Sequence, residues 1–281
     1  MSCLGPTLYK GKCVRGREVE VIGCLACGYA HLHPKPDPGE LERYYQEEYF
    51  QAEKPEYARD EDRLRCYQEQ VYEEQVGDLP STGLVLDVGC GVTAPFLKFV
   101  ERYRPGWKRF GLDPALTPKE GFFNSWEALA EKGLSFHLIN LSFVLEHLAD
   151  PFKMLWKCRE FLRDGGLLMA ESPFDFSSLQ NSIREKDESR PWWVSSPDHV
   201  NYFSPNSLKH LLDRCGLWTL CMGTTYPVEL FLLHGTDYRN DENARRLVVE
   251  RRADMQKFWR ESGMSRNHAV GRTCWAVARK K

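Results

Sequence analysis

The run LVLDVGCG, Leu84 to Gly91, constrains the chain more than any other stretch. Its continuous apolar segment reads as a strand buried on both faces. It ends in Asp87 and a turn whose Gly89 and Gly91 allow positive φ and close approach of a ligand to the backbone. Strands buried on both faces belong to parallel sheets covered by helices on each side. From residue 82 onward the chain keeps to that grammar. RFGLD is a second strand ending in Asp, and FHLINLSFVLEHL is a third that runs into a turn. DPFKMLWKCREFLRDGG is a helix that Asp150 caps, Pro151 opens and Gly165 stops. GLLMAESP is the next strand, SPNSLKHLLDRCG the next helix, and LWTLCMGTT and RTCWAVARK are the last two strands. This alternation predicts an α/β fold with helices on both faces of the sheet. The connection between the last two strands is long for a plain loop and holds a charged helix, roughly NDENARRLVVERRADMQKFWRES, so it reads as a functional insertion.

Ligands of such sheets lie across the carboxyl ends of the strands. Roughly 20 residues past Gly91, the second strand ends in Asp113, placed to accept hydrogen bonds from two ribose hydroxyls. A bare glycine turn also suits a dinucleotide fold, but that fingerprint needs G-x-G-x-x-G. Here Gly91 is followed by Val92-Thr93-Ala94-Pro95, and a proline removes an amide that a pyrophosphate would use. The aspartate before the glycines suits a ligand with an amino group and no phosphate. NAD is disfavoured.

Ahead of the strands, the segment to about Pro36 is rich in Cys, Gly and Pro, with one strand-like run, REVEVIGC. Asp37 and Pro38 cap and open the helix GELERYYQEEYFQ, where Leu41, Tyr44, Tyr45 and Tyr49 approximate helical spacing. A longer amphipathic helix covers roughly Ala58 to Val76. Of the ten cysteines, Cys66, Cys90, Cys158, Cys215, Cys221 and Cys274 sit singly in apolar or helical patterns and read as buried fillers. Cys3, Cys13, Cys24 and Cys27 cluster instead. The opening MSCLGPTLYKGK has no apolar core of a signal peptide, so these thiols read as reduced or metal-binding. Cys24-x-x-Cys27 looks like half of a structural zinc site.

A net charge of −2 argues against a globally basic nucleic-acid binder. No apolar run approaches about 18 residues, so no membrane span is expected, and a cytoplasmic location is.

The segments LDVGCG, FGLDP, LSFVLEHLADPF, LRDGGLLMAESP and DHVNYFSPNSLKHLLDRCG, in this order and spacing, resemble the class I S-adenosylmethionine-dependent methyltransferases. The likeness is greatest to the broad subfamily around the ubiquinone-biosynthesis O-methyltransferases and covers nearly the whole chain. It implies a Rossmann-like fold: a seven-stranded, mostly parallel sheet with an antiparallel last strand. The expected organisation is a Cys-rich segment over 1–36, a helical lid over 37–80, a cofactor-binding core over 81–225 and a substrate-shaping insertion plus last strand over 226–281.

Carried over by position, Asp87, Gly89, Cys90 and Gly91 surround the methionine part of S-adenosylmethionine. Asp113 holds the ribose, Pro114 lies beside the adenine, and Asn124, Ser125 and Trp126 flank it. Leu141 and Ser142 face the methionyl side. Tyr45 and Tyr49, with Tyr44, belong to a lid helix or pack against the next helix. The chain departs from the family at His137, usually Asp, and at Asp164, commonly Pro. Relatives often carry a C-x-x-C pair before Cys24, where this chain reads CLGP. Cys3 and Cys13 either complete a four-thiolate structural zinc site with Cys24 and Cys27, or the site has decayed and the pair staples a turn.

Methyl transfer is an in-line displacement, so the protein aligns the acceptor and, for a hydroxyl, supplies a base. Glu146-His147 and His199 are the candidates, with His234 a further one, and for His147 and His199 a structural role in capping or packing is the alternative. In ubiquinone-type relatives, acidic residues near Glu146-His147 bring in a divalent cation; no second carboxylate cluster lies at ligand spacing here. Trp192, Trp193 and Tyr202 either wall the acceptor or pack the loop. Glu229 and His234 of the insertion shape the pocket. Arg245, Arg246, Arg251 and Arg252 alternate with acids as a solvated helix face. The implied partner is a small-molecule acceptor, with O-methylation favoured and a sugar-like or secondary-metabolite substrate, on a monomer or homodimer. Rival readings are a ubiquinone-type phenol, an RNA acceptor, or a scaffold that binds the cofactor without turnover.

Overall fold

The computed structural model describes residues 3–45, 47, 72, 80–187, 191–266 and 268–281. The expected helix from Ala58 to Val76 and Cys66 lie outside the described residues, Tyr72 excepted.

Eleven strands are described. β1 (Thr7–Lys12), β2 (Glu18–Cys24) and β3 (Tyr29–Leu32) form an antiparallel sheet completed by β9 (Asn201–Tyr202). The expected single strand in this segment is therefore three. The main sheet has seven strands: β4 (Gly83–Val88), β5 (Trp107–Leu112), β6 (Phe122–Phe123), β7 (Phe136–Ser142), β8 (Leu162–Pro173), β10 (Leu217–Thr224) and β11 (Thr273–Lys280). Their spatial order is β10-β11-β8-β7-β4-β5-β6. Only β11 runs against its neighbours β8 and β10. The Rossmann-like architecture with an antiparallel last strand is the observed one.

Three layers follow from how successive strand residues divide. Leu86, Ile139, Leu168 and Ala170 face one core with Leu155 and Cys158 of α4 (Pro151–Phe161) and Leu208, Leu211 and Leu212 of α6 (Pro205–Arg214). Val85, Leu138, Met169 and Val277 face the other, against Phe96, Leu97, Phe99 and Val100 of α2 (Pro95–Tyr103). Fully burying one such side chain stabilises the fold by about 2 kcal/mol. Tyr72 packs edge-on to Phe96 in the second core. Cys158, Cys215 and Cys274 are fully buried fillers.

The starts of the helices obey their sequence signals. Asp150 accepts from the Lys153 amide ahead of Pro151. Ser204 and Ser207 exchange hydrogen bonds as a capping box ahead of α6. The end of α4 differs from expectation. The helix stops at Phe161, and Leu162 is already extended and pairs with Phe136. Gly165, at φ 73°, shapes the irregularity between that pair and Leu138↔Leu167 rather than a helix end. The remaining helices are α1 (Pro38–Tyr44), α3 (Trp126–Ala130), α5 (Ser178–Asp187), α7 (Leu230–Leu233) and α8 (Glu242–Glu261), the last being the charged insertion helix. Among the described residues, no helix is long and apolar enough to cross a membrane.

Candidate active site

At the carboxyl end of β4, Gly89 and Gly91 hold φ of 71° and 60°. The Gly89 amide donates to the Leu112 carbonyl at 2.7 Å. The Gly91 amide donates to Asp113 Oδ2 at 2.9 Å, and the Ala115 amide to Asp113 Oδ1 at 2.9 Å. The turn after β4 is thus tied to the end of β5. Each oxygen of the Asp113 carboxylate keeps acceptor capacity for a ligand hydroxyl. A side chain at Gly91 would meet nothing within 4 Å, so the turn is open there. Asp87 is buried and accepts from Asn140 Nδ2 at 2.7 Å. Burial pushes its carboxyl up to about 7, a rise that the Asn140 hydrogen bond partly offsets. A buried carboxylate beside an open glycine turn, with a ribose-type acceptor next to it, fits the amino acid and ribose ends of S-adenosylmethionine.

The other expected cofactor residues are placed unevenly. Pro114 and Asn124 are exposed. Ser125 caps α3, accepting from the Ala128 amide at 3.2 Å. The Trp126 ring packs on Phe161, with centroids 5.1 Å apart. Cys90 and Leu141 are enclosed in the two cores, and burial pushes the Cys90 thiol up to about 12. Ser142 donates to Asn140 Oδ1 at 3.3 Å and so belongs to the Asp87 network. The Tyr45 hydroxyl donates to Asp198 Oδ1 at 3.4 Å. Tyr49 lies outside the described residues. His137 Nδ1 accepts from the Leu84 amide at 3.1 Å, and the Arg163 guanidinium lies against its Nε2, a scaffold role.

Beyond β7 the chain turns through Leu145–His147, a 3-10 segment. A side chain at Gly89 would sit 2.5 Å from Val144 Cγ2, so this turn abuts the glycine turn. Here the structure unites His147 and His199, with ring centroids 5.1 Å apart and planes at 75°. His147 Nδ1 donates to Asp198, 3.0 Å from its carbonyl and 3.1 Å from its Oδ1. Burial opposes protonation of His147, but Asp198 and Glu146 more than offset it and its pKa is raised. Glu146 is buried, and burial raises its pKa; Oε2 accepts from Ser172 at 2.9 Å, while Oε1 makes no hydrogen bond and lies 3.8 Å from His147 Nε2. His199 Nδ1 is likewise buried without a partner, 3.8 Å from Asp175 Oδ2.

Glu146, His147 and His199 set ligand-type atoms within 4.8 Å of one another. One carboxylate and two imidazoles suit a transition metal better than magnesium.

Trp193 and Tyr202 are not an open wall. Both are buried with Val21, Leu32 and Val194, and Phe176 meets both rings edge-on. The Tyr202 hydroxyl donates to the His199 carbonyl at 3.1 Å. Trp192 keeps partial exposure, with the Arg239 guanidinium 4.9 Å over its ring. Glu229 is buried and accepts from Gln180 Nε2 at 3.1 Å, and Gln180 also donates to Asp175. His234 is exposed at the end of α7 and does not join it.

Of the expected thiolates, Cys3, Cys24 and Cys27 come together, but with His31 as the fourth group. Cys13 is fully buried beside Val21 and Trp193 instead. It precedes β2 while Cys24 ends it, and a strand of that length spans roughly 20 Å. Asp198, Asn140 and Asp175 carried no signal of their own. His31 did, in the spacing Cys24-x-x-Cys27-x-x-x-His31.

The sequence profile of the methyltransferase-domain family matches residues 56–221. A ubiquinone biosynthesis O-methyltransferase of Cereibacter sphaeroides is 28% identical over 157 residues, covering 50% of this chain and 62% of the relative. The chain therefore spans under two thirds of the length of that curated relative. Another Cereibacter sphaeroides protein of the same name is 30% identical over 96 residues, covering 32% of this chain and 38% of its own length. A solved S-adenosylmethionine-dependent methyltransferase from Archaeoglobus fulgidus superposes with a TM-score of 0.47 at 18% identity, covering 87% of this chain and 100% of that one.

Proposed function

Because the chain belongs to the methyltransferase-domain family, we propose that it transfers a methyl group from S-adenosylmethionine to a hydroxyl oxygen of a small-molecule acceptor. One observation carries this reading: Val144 seats against Gly89, so the glycine turn and the Glu146–His147 turn share a wall. Cofactor cradle and acid–base cluster are neighbours.

Bound S-adenosylmethionine supplies an electrophilic methyl carbon on a sulfonium. The chain's own work is alignment and proton handling. Asp113 orients the ribose hydroxyls, Gly91 leaves room for the ligand, and Asp87 accepts from its amino group. His199 takes the proton of the acceptor hydroxyl, since its Nδ1 makes no hydrogen bond and Asp175 stays 3.8 Å away. His147 is committed to Asp198, and Asp198 and Glu146 favour its protonated form. Trp192 and the insertion over 226–281 shape the acceptor side. Oxygen as the accepting atom rests on the nearby base and on the names of the curated relatives. A zinc ion in the sulfur-rich set has a structural role, because four protein ligands leave no open position.

Calorimetry with S-adenosylmethionine and with NAD tests the cofactor; binding of NAD alone would overturn the reading. Transfer of a labelled methyl group into a hydroxylated fraction of metabolite extracts tests the reaction. Cofactor binding without any transfer would leave only a binding scaffold.

A further inference from the structure

One group of side chains with metal-binding chemistry lies apart from the histidine pair. Cys3, Cys24, Cys27 and His31 place three sulfurs and a ring nitrogen within 4.8 Å of one another. The local backbone is built for this. β2 ends at Cys24, the Cys27 amide donates to Cys24 Sγ at 3.4 Å, and Gly28, at φ 80°, donates its amide to the Cys24 carbonyl. The first residues lie along this hairpin: the Leu25 amide donates to the Leu4 carbonyl and the Gly23 amide to the Pro6 carbonyl. Gly5 permits the approach, since a Cβ there would fall 1.9 Å from the Gly23 carbonyl oxygen. Cys3 Sγ thereby comes 3.8 Å from Cys27 Sγ.

His31 is fully buried. Its Nδ1 donates to the Leu32 carbonyl at 2.6 Å, which fixes the tautomer with Nε2 unprotonated. Nε2 is buried without a partner. An imidazole anchored through one nitrogen to a backbone carbonyl, with the other nitrogen left bare, is the arrangement of a metal ligand. Three thiolates and one imidazole select zinc and close its tetrahedron.

What such an ion would hold is visible in the neighbouring ladder. His31 pairs with Asn201 across β3 and β9, and the Leu32 amide donates to the Val200 carbonyl at 2.9 Å. Asn201 Nδ2 in turn donates to the carbonyls of Leu145 at 3.0 Å and Leu148 at 2.6 Å, the two flanks of the Glu146–His147 turn. The Val200 amide donates to the Glu146 carbonyl at 2.8 Å. Tyr202 holds the His199 carbonyl.

We infer that Cys3, Cys24, Cys27 and His31 form a closed zinc site that sets the position of His147 and His199 through the β3–β9 pairing. His31 is a positioning residue here. The metal assignment stands on these side chains alone, and only the catalytic meaning of the positioning rests on the proposed methyl transfer.

The full chain, expressed with zinc, should carry about one zinc per chain by elemental analysis. Replacement by cobalt should give thiolate-to-metal charge-transfer bands. His31→Ala should lose the metal, and His31→Cys, which restores four ligands, should regain it even where His31→Ala folds poorly. Chelation of zinc should speed amide exchange at Leu32 and Asn201 by more than tenfold while S-adenosylmethionine affinity stays within about twofold. Wild type without zinc, or with a Cys3–Cys27 disulfide in its place, overturns the site. Metal loss that leaves exchange at Leu32 and Asn201 unchanged overturns the positioning. Absence of S-adenosylmethionine binding would sink the methyltransferase reading and leave the zinc result standing.

Discussion

His147 and His199 meet edge to face, yet only His147 is hydrogen-bonded to its carboxylate. Asp198 Oδ1 lies 3.1 Å from His147 Nδ1, whereas Asp175 Oδ2 stays 3.8 Å from His199 Nδ1. Two identical side chains in one cluster therefore differ in what they have left to offer. On the proposed reaction, that difference leaves His199 as the proton acceptor and His147 as the partner of Asp198.

His199→Ala is expected to lower turnover by more than about tenfold, in the range for loss of a general base. Affinity for S-adenosylmethionine should be nearly unchanged, since His199 is outside the glycine turn. Steady-state kinetics with calorimetry on folded protein checks both. Unchanged turnover would return His199 to packing.

Asp198→Asn should lower the titration midpoint of His147, read by NMR of its ring carbons. The stability effect has a definite sign. His147, with a raised pKa, contributes stability that is full below about 6.5 and lost as pH rises through its folded value. Asp198 has a lowered pKa because the His147 bond outweighs its burial, so it contributes above about 3.9 and loses this as pH falls. The variant's deficit in Tm should be greatest between about pH 4 and 6.5 and shrink in alkali. A deficit independent of pH would deny the pairing.

Asp87 behaves in the opposite sense. A carboxyl held near 7 by burial loses stability as pH rises from about 3.9 toward 7. Asp87→Asn should therefore raise Tm more at pH 8 than at pH 5, while weakening cofactor binding. In the wild type, binding of the cofactor's ammonium should release protons near pH 7, measured by calorimetry in buffers of different ionisation enthalpy. No buffer dependence would remove Asp87 from the binding event.

Gly89 and Gly91 share positive φ but not surroundings. Alanine at either carries a backbone strain of about 1–2 kcal/mol. At Gly89 the new methyl also meets Val144, so Gly89→Ala should show the larger fall in Tm. At Gly91 the methyl enters open space, and Gly91→Ala should instead weaken S-adenosylmethionine binding while costing only the backbone strain. Equal effects on both measurements would mean that the turn is not a ligand cradle.

The parts of this fold legible in the sequence were those fixed by local chemistry. Asp87, Gly89, Gly91 and Asp113 announce themselves because a buried strand ending in Asp and glycine has few other uses. The caps at Asp150 and Ser204 are readable because an N-cap and a following proline act within one turn. Asp198 and Asn140 were not legible, since their partners His147 and Asp87 are remote in sequence and meet only when β7 and the loop before β9 are in place. Trp193 and Tyr202 look like ligand walls by residue type. They turn inward because the first three strands provide an apolar face for them. Cysteine count alone favours Cys13 over His31, but the length of β2 separates Cys13 from Cys24 and β3 brings His31 to it instead.

The short strand Asn201–Tyr202 gives the N-terminal sheet its fourth member. Its peptide groups belong to one sheet and its side chains brace the other unit's histidine turn. The opening segment is thus no detachable module. A chimera that swaps the first 36 residues, or the loop over 191–205, between relatives must carry both pieces together. Moving one alone leaves a three-stranded sheet without its edge and a histidine pair without its brace.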